Sequence, residues 1–189
     1  MADTTHAGVR LAALGFFAVL LQIALVAQIR ILGVSADLSP LVIAAAGFLA
    51  GAVPGAVFGF AVGIFVDLAF AQTIGVSALL YVLVGYAAGR VRELRAPEAP
   101  VWPLAMGAAA TAFATCGYAV IEFLLGVNGP VSLLLARDIL VTVVLNSLIA
   151  VPVYAVVRRW LVPALPEDPR RRRRRRAYTT GGLSPLQRP

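Results

Sequence analysis

The sequence predicts an all-α integral membrane protein of about six transmembrane helices, with five as the alternative count, and three observations carry that prediction. Sixty per cent of the 189 residues are hydrophobic, 13% are charged, and the mean hydropathy is +0.89. Apolar stretches fill most of the chain from Leu11 to Leu161, more apolar surface than a soluble domain of this size could hide. Finally, glycine recurs at every fourth position, Gly51, Gly55, Gly59 and Gly63, and the series ends in a carboxylate, Asp67, set among apolar residues. Small residues at that spacing share a helix face and let backbones approach closely, and an intramembrane carboxylate must turn toward protein.

The elements follow in order. Leu11–Ile29 is long for a signal-peptide core and no clean small-x-small cleavage site follows it, so it reads as a retained first span behind a short N-terminal segment, residues 1–10. A polar joint, Arg30 to Pro40, holds Asp37 and the turn-forming Ser39-Pro40. Leu41–Ala71 as one helix would be about 46 Å long, against a hydrocarbon core of about 30 Å. Gly51, Pro54 and Gly55 supply a break, giving two arms, Leu41–Ala52 and Pro54–Ala71. Val76–Gly89, Val101–Leu125 and Val131–Trp160 complete six spans, the last with a kink expected at Pro152. The membrane domain thus covers residues 11–162, and residues 163–189 form a proline- and arginine-rich tail with no helical pattern, expected to be disordered.

Charge placement orients the spans. The formal net charge of +7 comes from arginine alone, and the unbroken run Arg170, Arg171, Arg172, Arg173, Arg174, Arg175, Arg176 accounts for it. Arg90, Arg92 and Arg95 crowd one joint, whereas the joint Gly126–Pro130 carries no charge. The positive-inside bias therefore puts both basic segments in the cytoplasm with two spans between them, and Trp102 and Trp160 fall at that same interface. Counting back through six spans places the N-terminus and Arg10 inside as well; one long helix over Leu41–Ala71 would place them outside.

Several polar residues then gather near the outer face: Asp67, Glu122, and Arg137 with Asp138. Each costs roughly 2.5 to 3.5 kcal/mol at the bilayer centre and less toward the interface, so Arg137 is expected to pair with Asp67 or Glu122. Asp138, Thr142 and Asn146 repeat every four residues and form a polar stripe expected to face protein. Ser77, Tyr81, Gly85 and Gly89 form a second small-residue face, which suggests that two consecutive helices pack on each other; a partner's helix is the other occupant such a face could take. Val62, off the ladder, is expected to point elsewhere and to tolerate a larger side chain.

The chemistry reads as binding. There is no Ser/His/Asp set, no HExxH, no phosphate-binding loop and no carboxylate pair at the spacing that holds a metal, so no enzyme, cofactor or metal site is expected. A single cysteine, Cys116, excludes an intrachain disulfide. Seven adjacent arginines suit an anionic lipid surface at ~1 kcal/mol each, and nothing in the tail supplies the aromatic platforms that nucleic-acid binding needs.

The segment Gly59-x3-Gly63-x3-Asp67-Leu68, followed by Gly75-x2-Ala78-Leu79-x-Tyr81-x3-Gly85-Tyr86-x2-Gly89, resembles the rod shape-determining protein MreD family. The hydropathy profile extends the likeness over Leu11 to Trp160. Upstream, Ala36-Asp37-Leu38 departs by one residue from the family's Pro-Asp-Leu, and the arginine tail lies outside the pattern. The resemblance implies a non-enzymatic subunit of the bacterial cell-elongation (rod) complex, or elongasome, in the plasma membrane. It would act in cell-shape control and peptidoglycan synthesis, with MreC as first partner and MreB, RodA and its transpeptidase partner beyond. It also implies a fold similar to the substrate-binding subunits of energy-coupling-factor transporters, which leaves a small-solute-binding transporter subunit as the alternative. The outer joints Gln72–Ser77 and Gly126–Pro130 are short and nearly featureless for a solute site, which favours the scaffold.

Overall fold

The computed structural model describes residues 2–24, 30–31, 33–94, 102–126 and 133–165. Among them run six α-helices: α1 (Ala2–Ala24), α2 (Leu38–Ala50), α3 (Ala52–Ala69), α4 (Val76–Leu94), α5 (Trp102–Leu124) and α6 (Leu133–Leu161), the last ending in a 3-10 turn, Val162–Ala164. Two short antiparallel strands, β1 (Arg30–Ile31) and β2 (Val34–Ser35), lie between α1 and α2, paired Arg30 to Ser35 and Ile31 to Val34. Three helical segments, Ala52–Ala69, Trp102–Leu124 and Leu133–Ala164, are long and apolar enough to cross a membrane, with Gly8–Ala24 and Leu38–Ala50 as shorter apolar helices. The protein is therefore an all-α membrane bundle. Arg95 and the run Arg170 to Arg176 lie outside the described residues.

The break in the long apolar stretch falls at Gly51. Its φ of +108° with ψ of 175° is a conformation only glycine adopts without strain, and it separates α2 from α3 at a single residue. Gly51 is thus the hinge of a helical hairpin, and the ladder proper begins at Gly55. The helix bounds shift from those read in the sequence: α1 starts nine residues before Leu11, and α2 starts at Leu38 because the Asp37 carboxylate caps it, accepting from Ser39 N at 2.9 Å. Pro40 sits in that first turn, where no intrahelical donor is needed.

At 13 residues α2 is about 20 Å long, too short to span the hydrocarbon by itself. It lies in the centre of the bundle, and every residue from Leu38 to Gly47 is buried. The run of alanines Ala44, Ala45 and Ala46 lets its neighbours close around it on all sides.

The contacts fix which helix ends lie together. Arg10 on α1 donates to the Trp160 carbonyl on α6, Arg92 on α4 to the Leu49 carbonyl on α2, and the Phe48 and Tyr154 rings meet edge-on at 6.1 Å. The start of α1, the ends of α2, α4 and α6, and with them Arg10, Arg90, Arg92, Arg158 and Arg159, therefore share one end of the bundle. Asp67, Gln72, Glu122 and Asp138 belong to the other.

Candidate functional site

The Asp67 carboxylate is fully buried, and it is held by backbone rather than by arginine. Oδ2 accepts from Gly75 N at 2.7 Å and Oδ1 from Ser77 N at 3.3 Å. These amides belong to the turn and first residues of α4, which lack intrahelical partners, so Asp67 caps α4 from the preceding helix. Gly75 reaches it with φ of +98°, a left-handed conformation suited to glycine. Of the two partners expected for Arg137, Asp67 is thereby corrected: Arg137 and Asp138 are exposed near the start of α6 and Glu122 is partly buried on α5, so Asp67 stands alone of the four in the core.

The small-residue faces of α3 and α4 are spent on each other. A Cβ on Gly59 would overlap the Tyr81 carbonyl, one on Gly63 the Ala78 backbone, and one on Gly85 the Gly55 carbonyl. Gly89 faces Ala52 in the same way, and Gly47 of α2 joins Gly55 and Gly85 at a three-helix contact. The two helices thus run antiparallel with backbones touching from the hinge to Asp67, the geometry that ladders of small residues permit. Ser77, Tyr81, Gly85 and Gly89 all lie on the contact face, as do Gly55, Gly59 and Gly63. The family-motif residues Leu68 and Tyr86 are exposed on the outer surface, at 59% and 47%. Val62 is buried, with its side chain near Gly15 of α1, so it is a packing residue and not a neutral position.

A second polar centre was not assembled by sequence reasoning. Ala36 and Asp37 link β2 to Leu38, the first residue of α2, with Asp37 extended (φ −120°, ψ 111°). Two amide side chains grip this link from opposite sides. Gln22 of α1 donates to the Ala36 carbonyl at 3.0 Å and accepts from Leu38 N at 2.9 Å. Asn146 of α6 accepts from Asp37 N at 3.0 Å and donates to the Asp37 carbonyl at 2.8 Å and to the Thr111 hydroxyl of α5 at 2.9 Å. Tyr81 of α4 adds a hydroxyl donated to Asp37 Oδ2 at 3.4 Å. Non-helical backbone inside a membrane survives only where protein satisfies its polar groups, and Gln22 and Asn146 do so from α1 and α6. The signals present in sequence were Asp37 beside Leu38 and Asn146 at the deep end of the polar stripe; Gln22, one polar residue within the first span, is the one that went unread.

That arrangement leaves a cavity of about 620 Å³ at the end opposite Arg10 and Trp160, with Asp37 and Tyr81 at its floor and Gln72, Glu122 and Asp138 around it. Of the polar stripe on α6, Thr142 and Asn146 are buried while Asp138 is exposed.

The family model described as rod shape-determining protein MreD matches residues 4–162, which covers all six helices but for the first two residues of α1. The chain belongs to the MreD family. The match runs through the hinge, the α3–α4 interface, the Asp67 cap and the 36–38 clamp, so the features just described all lie within the family's span. It stops short of the arginine run. No curated protein and no solved structure gives a significant match. As a member of the MreD family the chain is a cell-shape membrane protein.

Proposed function

We propose that this chain is a non-enzymatic, multi-pass subunit of the rod complex in the bacterial plasma membrane, scaffolding MreC and, beyond it, MreB, RodA and its transpeptidase partner. The observation that carries the proposal is the family match over residues 4–162. Its packing supports the reading. The glycine faces are occupied within the chain, so a partner's helix would dock on the outer surfaces, where Leu68, Leu79, Leu83 and Tyr86 are exposed. Five helices around a buried short one also accord with the expected likeness to energy-coupling-factor substrate-binding subunits.

Orientation belongs to the same proposal. Arg10, Arg90, Arg92, Arg158 and Arg159 gather at one end of the bundle, and the positive-inside bias assigns that end to the cytoplasm with both termini. The run Arg170 to Arg176 then lies beside the inner leaflet and contacts anionic lipid.

The test is rescue of shape. Cells lacking their own copy of this protein should regain rod form when the full chain is restored. Round cells despite normal amounts of the protein in the membrane would overturn the proposal.

A further inference from the structure

We propose that the basic end of the bundle carries a phosphate-binding site at Tyr154, filled by the headgroup of a membrane lipid and separate from both the scaffolding surfaces and the arginine run. Tyr154 lies on α6 one turn before Arg158, and the guanidinium groups of Arg158 and of Arg92 on α4 both act on its hydroxyl electrostatically. Two cations from two helices thus converge on one phenol. Arg92 also donates to the Leu49 carbonyl of α2, which holds its head in place. Tyr154 is partly buried with its ring set edge-on against Phe48, yet among the described residues its hydroxyl has no hydrogen-bond partner. Among those same residues the exposed Arg158 has neither a hydrogen bond nor an ion pair.

A hydroxyl between two guanidiniums is a set of donors without a shared acceptor. Arginine presents its N–H groups in a planar fork that matches phosphate, and a phosphate oxygen accepts from several donors at once. The carboxylate nearest in the chain is Glu93, which pairs with Arg90 at 3.0 Å and also acts on Arg92. Against Arg90, Arg92 and Arg158 that single negative charge leaves the site positive, and an anion completes it. The place selects lipid as the source of the phosphate. Trp160, two residues beyond Arg158, is 49% exposed, and an exposed indole at a helix end marks the headgroup level, where basic groups between helices meet lipid phosphate.

The test separates lipid from free phosphate, and the site from the tail. The full chain is placed in phosphatidylcholine nanodiscs, in parallel with a variant in which Arg170 to Arg176 are all changed to Gln. Thermal unfolding is followed as phosphatidylglycerol replaces the choline lipid, and separately as inorganic phosphate is added at constant ionic strength. The expected result is a saturable rise in Tm with phosphatidylglycerol in both proteins; a rise with inorganic phosphate as well would show that the same site takes the free anion. Arg158→Gln should weaken the response by about tenfold, and Tyr154→Phe, which keeps the ring and removes only the hydroxyl, by about threefold. Arg159→Gln, the same loss of charge one residue away, should leave it nearly unchanged. Equal losses in Arg158→Gln and Arg159→Gln, responses unchanged in Arg158→Gln and Tyr154→Phe, a response that disappears with the tail arginines, or no response to either anion would overturn the proposal.

Discussion

Asn146 on α6 holds both backbone groups of Asp37, accepting from its amide at 3.0 Å and donating to its carbonyl at 2.8 Å. One primary amide side chain thus does for an extended segment what a neighbouring β-strand would do. With Gln22 satisfying Ala36 and Leu38 from the other side, the chain can re-enter the bundle as coil and start α2 inside it. This clamp permits a 13-residue helix to occupy the centre of a membrane protein.

Asn146→Ala should therefore cost more than loss of one side chain, because it orphans a buried amide and a carbonyl together. Each unsatisfied group costs about 1–3 kcal/mol, and Asn146→Asp, which keeps an acceptor but loses the donors, should be no milder than alanine. Thermal unfolding in mild detergent measures it. A variant as stable as the parent would mean the clamp is dispensable.

Asp67 acts on backbone amides, so its substitution should be independent of Arg137. Asp67→Ala is expected to lose about 0.5–2 kcal/mol as a helix cap, with Asp67→Asn milder because it keeps one acceptor oxygen. The Asp67→Asn, Arg137→Gln double variant should lose the sum of the single losses within about 0.5 kcal/mol. A coupling well above that would restore the ion pair expected from sequence.

Gly59→Ala and Gly63→Ala should already destabilise, since the added Cβ meets backbone that cannot rotate away. Overpacking of this kind costs typically 1–3 kcal/mol. Val57→Leu, on the outward face of the same helix at 66% exposure, is the fitting control and should change little. Recovery of monodisperse protein after solubilisation reads the difference; equal recovery would place the ladder away from α4.

At the basic end, Glu93 of α4 accepts from Ala52 N at 3.2 Å, capping α3 where Gly51 has no side chain to do so, and pairs with Arg90 at 3.0 Å. The Ala52 amide first, then Arg90, hold the Glu93 carboxyl below the ordinary glutamate range. A lowered native pKa means that its contribution is complete above the unfolded value, about 4.3, and is lost as pH falls through the native one. Unfolding temperatures taken downward from neutral pH should fall less steeply in that acid range for Glu93→Gln than for the parent. Parallel curves would remove Glu93 from the hinge.

Much of the fold was legible because membranes simplify the rules: hydropathy gave the spans, and Gly51 with Pro54 gave the break that resolves an over-long stretch into α2 and α3. The α3–α4 contact was legible too, since the glycine faces at Gly55–Gly63 and Gly85–Gly89 have four-residue spacing. The partners of the polar residues were not. Asp67 looked like half of an ion pair because a sequence displays side chains and hides the uncapped amides of a helix start. Gln22 and Asn146 lie 124 positions apart and find the same three residues only when α1 and α6 are packed, so no local pattern announces the clamp.

Central to the proposed function is that this bundle scaffolds MreC. Purification of the full chain, expressed at native level and solubilised in mild detergent, tests it most directly by identification of what stays bound. The account expects MreC to be retained by the parent and by Val57→Leu, and to be reduced with Gly59→Leu in step with loss of folded protein. Folded parent protein recovered without MreC, from membranes that contain it, would contradict the account.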